Sequence, residues 1–276
     1  MRLWLWLAVS LAIPFPQAPA ETAQPAKPPA SSKIWIGHYG EFEEYLRTAK
    51  MDHTVGTPVG VLAPRHAIFA AGGLANGAAV KKIKPGNRDG FFESYKSEIA
   101  AYKMDRLLQL DMVPPTIERE YEKEMASWQL WVENTKMLKE VLAQKVRSPD
   151  TIGWNLQLHR VQVFDDLVGN IDENQGNMLF DPQWNFIKID HSRAFTATSA
   201  LPFDIEKTIK QIDKPFFERV KALDKDTVRR EVGAFITENN ALPALFSRRD
   251  AIVKKFEELA KKNGEAAVFV PWRDGL

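Results

Sequence analysis

The chain has 276 residues, 45% of them hydrophobic and 26% charged, the balance of an ordinary globular protein of one or two domains. Its 37 Lys and Arg residues nearly cancel its 36 Asp and Glu residues, so it lacks the electrostatic footprint of a chain that binds a nucleic-acid backbone, and no nucleic-acid partner is expected. It contains no cysteine, which excludes disulfides, thiolate metal sites and thiol nucleophiles and leaves stability to the core.

Residues 1–20 read as a secretory signal: Arg2, an apolar run from Leu3 to Phe15, then Gln17-Ala18-Pro19-Ala20 with small residues at the last and third-last positions. Cleavage is expected after Ala20. The run is interrupted by Pro14 and is too short for a typical bilayer span, so no stable membrane span is expected after cleavage, and the expected location is secreted or periplasmic. Residues 21–33, rich in Pro, Ala and Ser, read as a flexible tether.

The first predicted element is a helix over 40–50, where Phe42, Tyr45, Leu46 and Ala49 form one apolar stripe. Strand-like runs follow at 57–62, 66–70 and 78–84, separated by Ala63-Pro64-Arg65 and by the glycine-rich segment from Gly72 to Gly77, which predicts a small antiparallel meander. A helix over 92–110 opens at Glu93 and Ser94 and stops ahead of Val113-Pro114-Pro115. Strands at 116–120 and 127–132 complete a sheet. Beyond them the pattern turns helical, at 134–144 and 154–168 and then near 204–212, 214–223, 227–238 and 247–262. A sheet-rich first half and a helical second half predict an α+β fold of two lobes, 34–133 and 134–276, with a ligand cleft between them.

The segment between the helices expected at 154–168 and 204–212 carries the chemistry. Gly169-Asn170-Ile171-Asp172-Glu173-Asn174-Gln175-Gly176-Asn177 leads into two short strands joined at Asp181-Pro182-Gln183, and the second ends at Ile189-Asp190-His191. Such a hairpin brings Asn177 and Asp190 together at its mouth. Phosphoryl transfer needs one carboxylate to orient the attacking hydroxyl and oxygen ligands to hold a divalent metal across the triphosphate. Asp172 suits the first role, and Asn177 and Asp190 suit the metal pair. The histidines, His38, His53, His66, His159 and His191, show no metal-ligand spacing and are read as structural.

These motifs resemble the protein-kinase-like superfamily, in the style of its atypical branches: the HipA-type kinases, the phosphoinositide lipid kinases and the secretory-pathway kinases. In protein kinases the catalytic Asp is followed five residues later by a metal-binding Asn, the interval from Asp172 to Asn177 here. The resemblance implies an antiparallel-sheet N-lobe with one main helix and a mostly helical C-lobe. It also implies ATP as the nucleotide, Mg²⁺ or Mn²⁺ as the metal, and a hydroxyl-bearing acceptor of unknown class: protein, glycan or lipid.

Ala78-Ala79-Val80-Lys81 resembles the strand whose lysine contacts the nucleotide phosphates, with Lys84 and Lys82 as rivals to Lys81. Glu98, 17 residues after Lys81, is the expected carboxylate partner of that lysine. The nucleotide-covering loop has one glycine, Gly60, with Arg65 as an added phosphate-binding charge. Leu130 and Trp131 stand where the hinge would wall the adenine pocket. Two departures are visible. Asn174 replaces the histidine that lipid kinases and many HipA-type proteins place two residues after the aspartate, and the segment after Asp190 lacks a Phe-Gly pair. The expected activity is an exported phosphotransferase, with a pseudokinase-type nucleotide-binding or interaction module as the alternative.

Overall fold

The computed structural model describes residues 31–56, 64–172 and 174–272. The expected leader, most of the tether and the expected strand at 57–62, with Gly60, lie outside the described residues. The first lobe opens with α1 (Tyr39–Thr48), then β1 (Met51–Gly56), β2 (Arg65–Phe69) and β3 (Gly77–Lys81). A small hairpin, β4 (Gly86–Arg88) with β5 (Phe91–Glu93), precedes α2 (Tyr95–Leu108), and β6 (Thr116–Tyr121) and β7 (Glu124–Leu130) complete the lobe.

Five of these strands form one antiparallel sheet in the order β1-β2-β3-β7-β6. Between β6 and β7, Glu122 and Lys123 take left-handed backbone at φ 52° and 66°, the pair of angles that a two-residue type I′ turn requires. The strand β1 has no counterpart in the sequence reading. It is an edge strand whose polar residues Asp52, His53 and Thr54 leave no inward apolar alternation to read. One face of the sheet packs on α1, where Trp35, Phe42 and Leu46 meet Val80, Ile117, Trp128 and Leu130 in a small core.

The helix α2 is capped by Ser94, whose Oγ accepts from Lys96 N at 3.0 Å, and it ends where Gln109 turns left-handed. Its residues Ala100, Ala101, Met104 and Leu108 belong to the larger core of the second lobe. This one helix therefore ties the sheet to the helical half.

The second lobe runs through β8 (Lys136–Met137), α3 (Leu138–Ala143), α4 (Thr151–Val168), β9 (Met178–Phe180) and β10 (Phe186–Lys188). It continues through α5 (Ile205–Thr208), β11 (Ile212–Asp213), α6 (Lys214–Lys221), α7 (Lys225–Glu231), α8 (Ala241–Asn263), α9 (Glu265–Val268) and β12 (Phe269–Val270). The helix α4 starts at Asp150, which accepts from Ile152 N and Gly153 N. It stops at Gly169, where φ is 66° and a Cβ would lie 2.6 Å from the Arg248 guanidinium carbon, so both angle and packing require glycine. Arg248 is itself fully buried and donates to the carbonyls of Leu167, Thr196 and Thr198, which pins the end of α4 and the segment around Thr196 to α8.

The hairpin β9–β10 pairs Phe180 with Phe186 and Met178 with Lys188, and Asp181 closes its turn by accepting from Gln183 N and Asn185 N, both at 2.9 Å. Asp181 also accepts from Ser31 Oγ at 2.7 Å and Ser32 N at 3.0 Å, so the segment entering the fold rests on this hairpin.

Several helical expectations are shortened, among them 92–110, where Phe91–Glu93 pairs with β4 before the helix begins at Tyr95. The stretch 134–144 begins as β8 because Lys136 and Met137 pair with Phe180 and Leu179. The stretch 204–212 is one short helix, since Ile212 and Asp213 pair in parallel with Phe269 and Val270. The stretch 227–238 breaks after Glu231 into a 3₁₀ turn at Gly233–Phe235. The last helix is longer than expected because Pro243 lies in its first turn, where proline is tolerated.

Candidate active site

Alternation along β3 places Ala78 and Val80 in the small core and Ala79 and Lys81 on the cleft face. The Lys81 ammonium, on a side chain 14% exposed, lies 2.6 Å from Glu98 Oε1 and 2.7 Å from Asp190 Oδ1. Glu98 stands in the first turn of α2, almost wholly buried, and its Oε2 accepts from His191 N at 3.0 Å. Asp190 follows β10 in left-handed backbone at φ 62°, a conformation that aspartate adopts more readily than most residues, and Ser192 Oγ donates to its Oδ1 at 3.2 Å.

One ammonium thus serves two carboxylates. Burial works to raise the Asp190 carboxyl, but the charge and hydrogen bond of Lys81, helped by Ser192, overcome it and hold the group down at about 2. Burial dominates at Glu98, which the shared ammonium compensates only in part, so its carboxyl sits above the ordinary range. Burial works to lower Lys81, and the two carboxylates outweigh it and hold the ammonium charged. The cluster sets two carboxyl groups against one ammonium. Behind it, burial and then the charge of Lys188 push His191 down to about 3, so it is a neutral core histidine, packed edge-on to Phe164.

The opposite wall is the loop after α4. Asn170 Nδ2 donates to Asp165 Oδ1 at 3.0 Å, and Asn170 Oδ1 accepts from Asp172 N at 3.3 Å. Asn177 Nδ2 donates to the Asp172 carbonyl at 3.0 Å, and the Asn177 carbonyl accepts from Ile189 N at 3.0 Å, which ties this loop to the residue before Asp190. With Nδ2 so committed, Oδ1 is the atom that Asn177 can offer a cation. Asn174 serves the loop itself, its Oδ1 accepting from Gly176 N at 2.8 Å.

The Asp172 carboxylate, 41% exposed, lies 3.4 Å from Arg193 Nη1. The same guanidinium donates from Nε to Glu93 Oε1 at 2.6 Å and lies over the Phe91 ring. The sequence reading did not single out Arg193. Its one sequence signal is a position three residues after Asp190.

The remaining candidates lie elsewhere. Lys84 is exposed beyond the end of β3 and pairs with Glu124 at 2.5 Å, and Lys82 pairs with Glu122 at 2.5 Å. Arg65 is exposed and donates to Thr54 Oγ1 at 3.2 Å. Leu130 is opposite Ala78 and buried in the small core, so Gln129, opposite Ala79, is the β7 residue on the cleft face; a hinge assignment by position alone is one residue out of phase. Trp131 stacks on the His66 ring with centroids 3.7 Å apart. Gly60 lies outside the described residues.

Among the described residues no group of three or more His, Asp or Glu side chains forms a metal cage. Asn177 and Asp190 offer two hard oxygen donors, the second an ionised carboxylate. That set fits Mg²⁺ or Mn²⁺, which bind through few protein ligands and complete their shells with substrate phosphates and water.

No protein-family model matches the chain, and no curated protein matches it by sequence. Solved structures do match. The Golgi casein kinase superposes with a TM-score of 0.63 at 15% identity, over 84% of this chain and 78% of that one, and it has also been solved with Mn and ADP bound. The hydra Fam20 structure with sugar gives a TM-score of 0.61 at 16% identity, over 86% of this chain and 93% of that one. The Helicobacter pylori proinflammatory kinase CtkA gives 0.50 at 11% identity, over 79% and 97%. The chain has the bilobal α+β fold of the atypical protein-kinase-like proteins.

Proposed function

We propose that this protein is an ATP-dependent phosphotransferase that moves the γ-phosphoryl group to a hydroxyl acceptor. The observation that carries the reading is the convergence of Lys81, Glu98 and Asp190 from three separate segments onto one ionic cluster, joined through the Ile189–Asn177 backbone bond to the Asp172 loop.

In this reading Lys81, held by Glu98, binds the α- and β-phosphates of ATP. Asn177 and Asp190 would hold a Mg²⁺ or Mn²⁺ ion, which would supply positive charge against the phosphate oxygens. To serve that ion the Asp190 carboxylate would turn from Lys81, leaving the ammonium to Glu98 and the phosphates. Asp172 orients the acceptor hydroxyl. The acceptor oxygen forms a bond to the γ-phosphorus as the bond from that phosphorus to the β–γ bridging oxygen breaks. ADP leaves with the electron pair, and the hydroxyl proton passes to the Asp172 carboxylate.

The neighbours support a hydroxyl acceptor of either protein or glycan type, since one is a casein kinase and another was solved with sugar. Export belongs to the same proposal. It rests on the leader at 1–20 and is tested by the N-terminus of the secreted protein, expected at Glu21. Among the described residues no helix is long and apolar enough to cross a membrane.

The test is transfer from γ-labelled ATP by the purified protein with Mg²⁺ or Mn²⁺, compared with Asp172→Ala and Asp190→Ala. Label incorporation in the wild type and its loss in both variants is the expected result. Incorporation that persists in both variants contradicts the assignment. A nucleotide-binding module without transfer is the second reading, favoured by Asn174 at the histidine position, and it predicts ADP binding with no turnover.

A further inference from the structure

Asn174 leaves the catalytic loop without a basic residue of its own, and its side chain is committed to Gly176 N at 2.8 Å. A cation nevertheless stands against Asp172, and it comes from a different segment. We infer that Arg193 is the positioning residue of this site, bracing Asp172 from behind and linking its orientation to the seating of α2; the inference rests on the phosphotransferase reading above.

Three contacts define the brace. Arg193 Nη1 is 3.4 Å from Asp172 Oδ2, Nε donates to Glu93 Oε1 at 2.6 Å, and the guanidinium carbon lies 4.7 Å from the Phe91 ring centroid. Glu93 is 1% exposed and immediately precedes Ser94, the N-cap of α2. Ser94 N in turn donates to the Ser192 carbonyl at 2.9 Å, so the start of α2 and the segment carrying Arg193 are joined by backbone as well as by charge.

The same helix presents Glu98 to Lys81. A displacement of α2 that parts Glu98 from Lys81 therefore carries Glu93 and the Arg193 segment with it and draws Arg193 off Asp172. The rigid planar fork of arginine suits this double attachment, because one donor edge can stay on Glu93 while another holds one oxygen of Asp172 and leaves the second for the acceptor hydroxyl. The Asp172–Arg193 contact is half open to water and adds little to stability. Its value lies in orientation, where small misplacements are expensive.

The test uses the full chain with Arg193→Ala, Arg193→Lys and Glu93→Gln. For each, transfer from γ-labelled ATP is followed together with calorimetric ADP–Mn²⁺ affinity, the thermal midpoint and hydrogen exchange in 170–177. Arg193→Ala should lower kcat by about 10²-fold while ADP affinity and the thermal midpoint stay near wild type, and exchange in 170–177 should rise. Arg193→Lys should recover part of kcat, because a point charge restores attraction without the fork. Glu93→Gln should show a smaller loss in the same direction. Wild-type kcat in both Arg193 variants overturns the inference. Parallel loss of ADP affinity, thermal midpoint and kcat also overturns it, by reducing Arg193 to a structural residue. An inactive wild type with unchanged exchange in the variants counts against both readings, whereas an inactive wild type whose loop loosens in Arg193→Ala overturns only the phosphotransferase reading.

Discussion

The two walls of the cleft are built differently. On one, Lys81 of β3 and Glu98 of α2 form a buried ion pair, and Asp190, 38% exposed at the end of β10, shares the same ammonium. On the other, Asp172 is 41% exposed and held by single hydrogen bonds along its loop and by one arginine. Buried charges fix geometry strongly because separating them leaves an uncompensated ion in a poor solvent. A half-exposed carboxylate is held weakly and is free to meet an incoming group. Under the proposed function, the first wall would hold the nucleotide and the second would meet the acceptor.

Removing the shared cation should break the contrast most severely. Lys81→Met leaves Glu98 buried without its partner, which should lower stability by about 3–5 kcal/mol and abolish transfer; a denaturant midpoint and the labelled-ATP assay read the two effects. Removing a buried pair outside the site separates them. Arg160 donates to Asp213 through Nε at 2.7 Å and Nη2 at 2.8 Å, with both residues almost fully buried, so Arg160→Ala should cost about 3–5 kcal/mol and spare specific activity measured well below the melting range.

Asp166 offers a subtler probe of buried charge. It is fully buried, and burial raises its carboxyl from 3.8 to about 7. The folded protein therefore keeps a proton that the unfolded chain releases near 3.8. This group's contribution is full below that value and is lost as pH rises toward 7. Asp166→Asn should flatten the decline of stability over that interval, read from urea midpoints at several pH values. The smallest effect is expected at Lys84, whose side chain is 68% exposed in its pair with Glu124. Lys84→Ala should move stability by less than about 1 kcal/mol and leave transfer unchanged, which separates it from Lys81.

Much of this arrangement was legible in the sequence because it follows local rules. Strand alternation put Lys81 on the face opposite Val80, and the apolar run around Glu98 marked an inward turn of helix. Asp181-Pro182 announced the hairpin that carries Asn177 and Asp190 to one end, and the side chain of Asp181 closes that turn. The helices of the second lobe were legible in existence and less so in extent, since β8 and β11 form only through pairing with distant strands.

What escaped depends on long-range contact. Arg193 meets a carboxylate 100 positions earlier, and no periodic pattern marks it. Ser31 reaches Asp181 across 150 positions, which composition alone presents as a loose tether. The strand β1 has three polar residues in a row, Asp52, His53 and Thr54, and pairs with β2 at the edge of the sheet. Leu130 shows the sensitivity of strands to phase, since one residue decides between core and cleft.

The central claim is that Asp190 exchanges its contact with Lys81 for a metal–nucleotide complex. Calorimetric titration of ADP, with and without Mn²⁺, into the wild type and Asp190→Ala tests it most directly. The account predicts binding in the wild type that depends on Mn²⁺ and disappears in Asp190→Ala. Metal-independent binding of equal strength in both proteins, or no binding by the wild type at all, would contradict it.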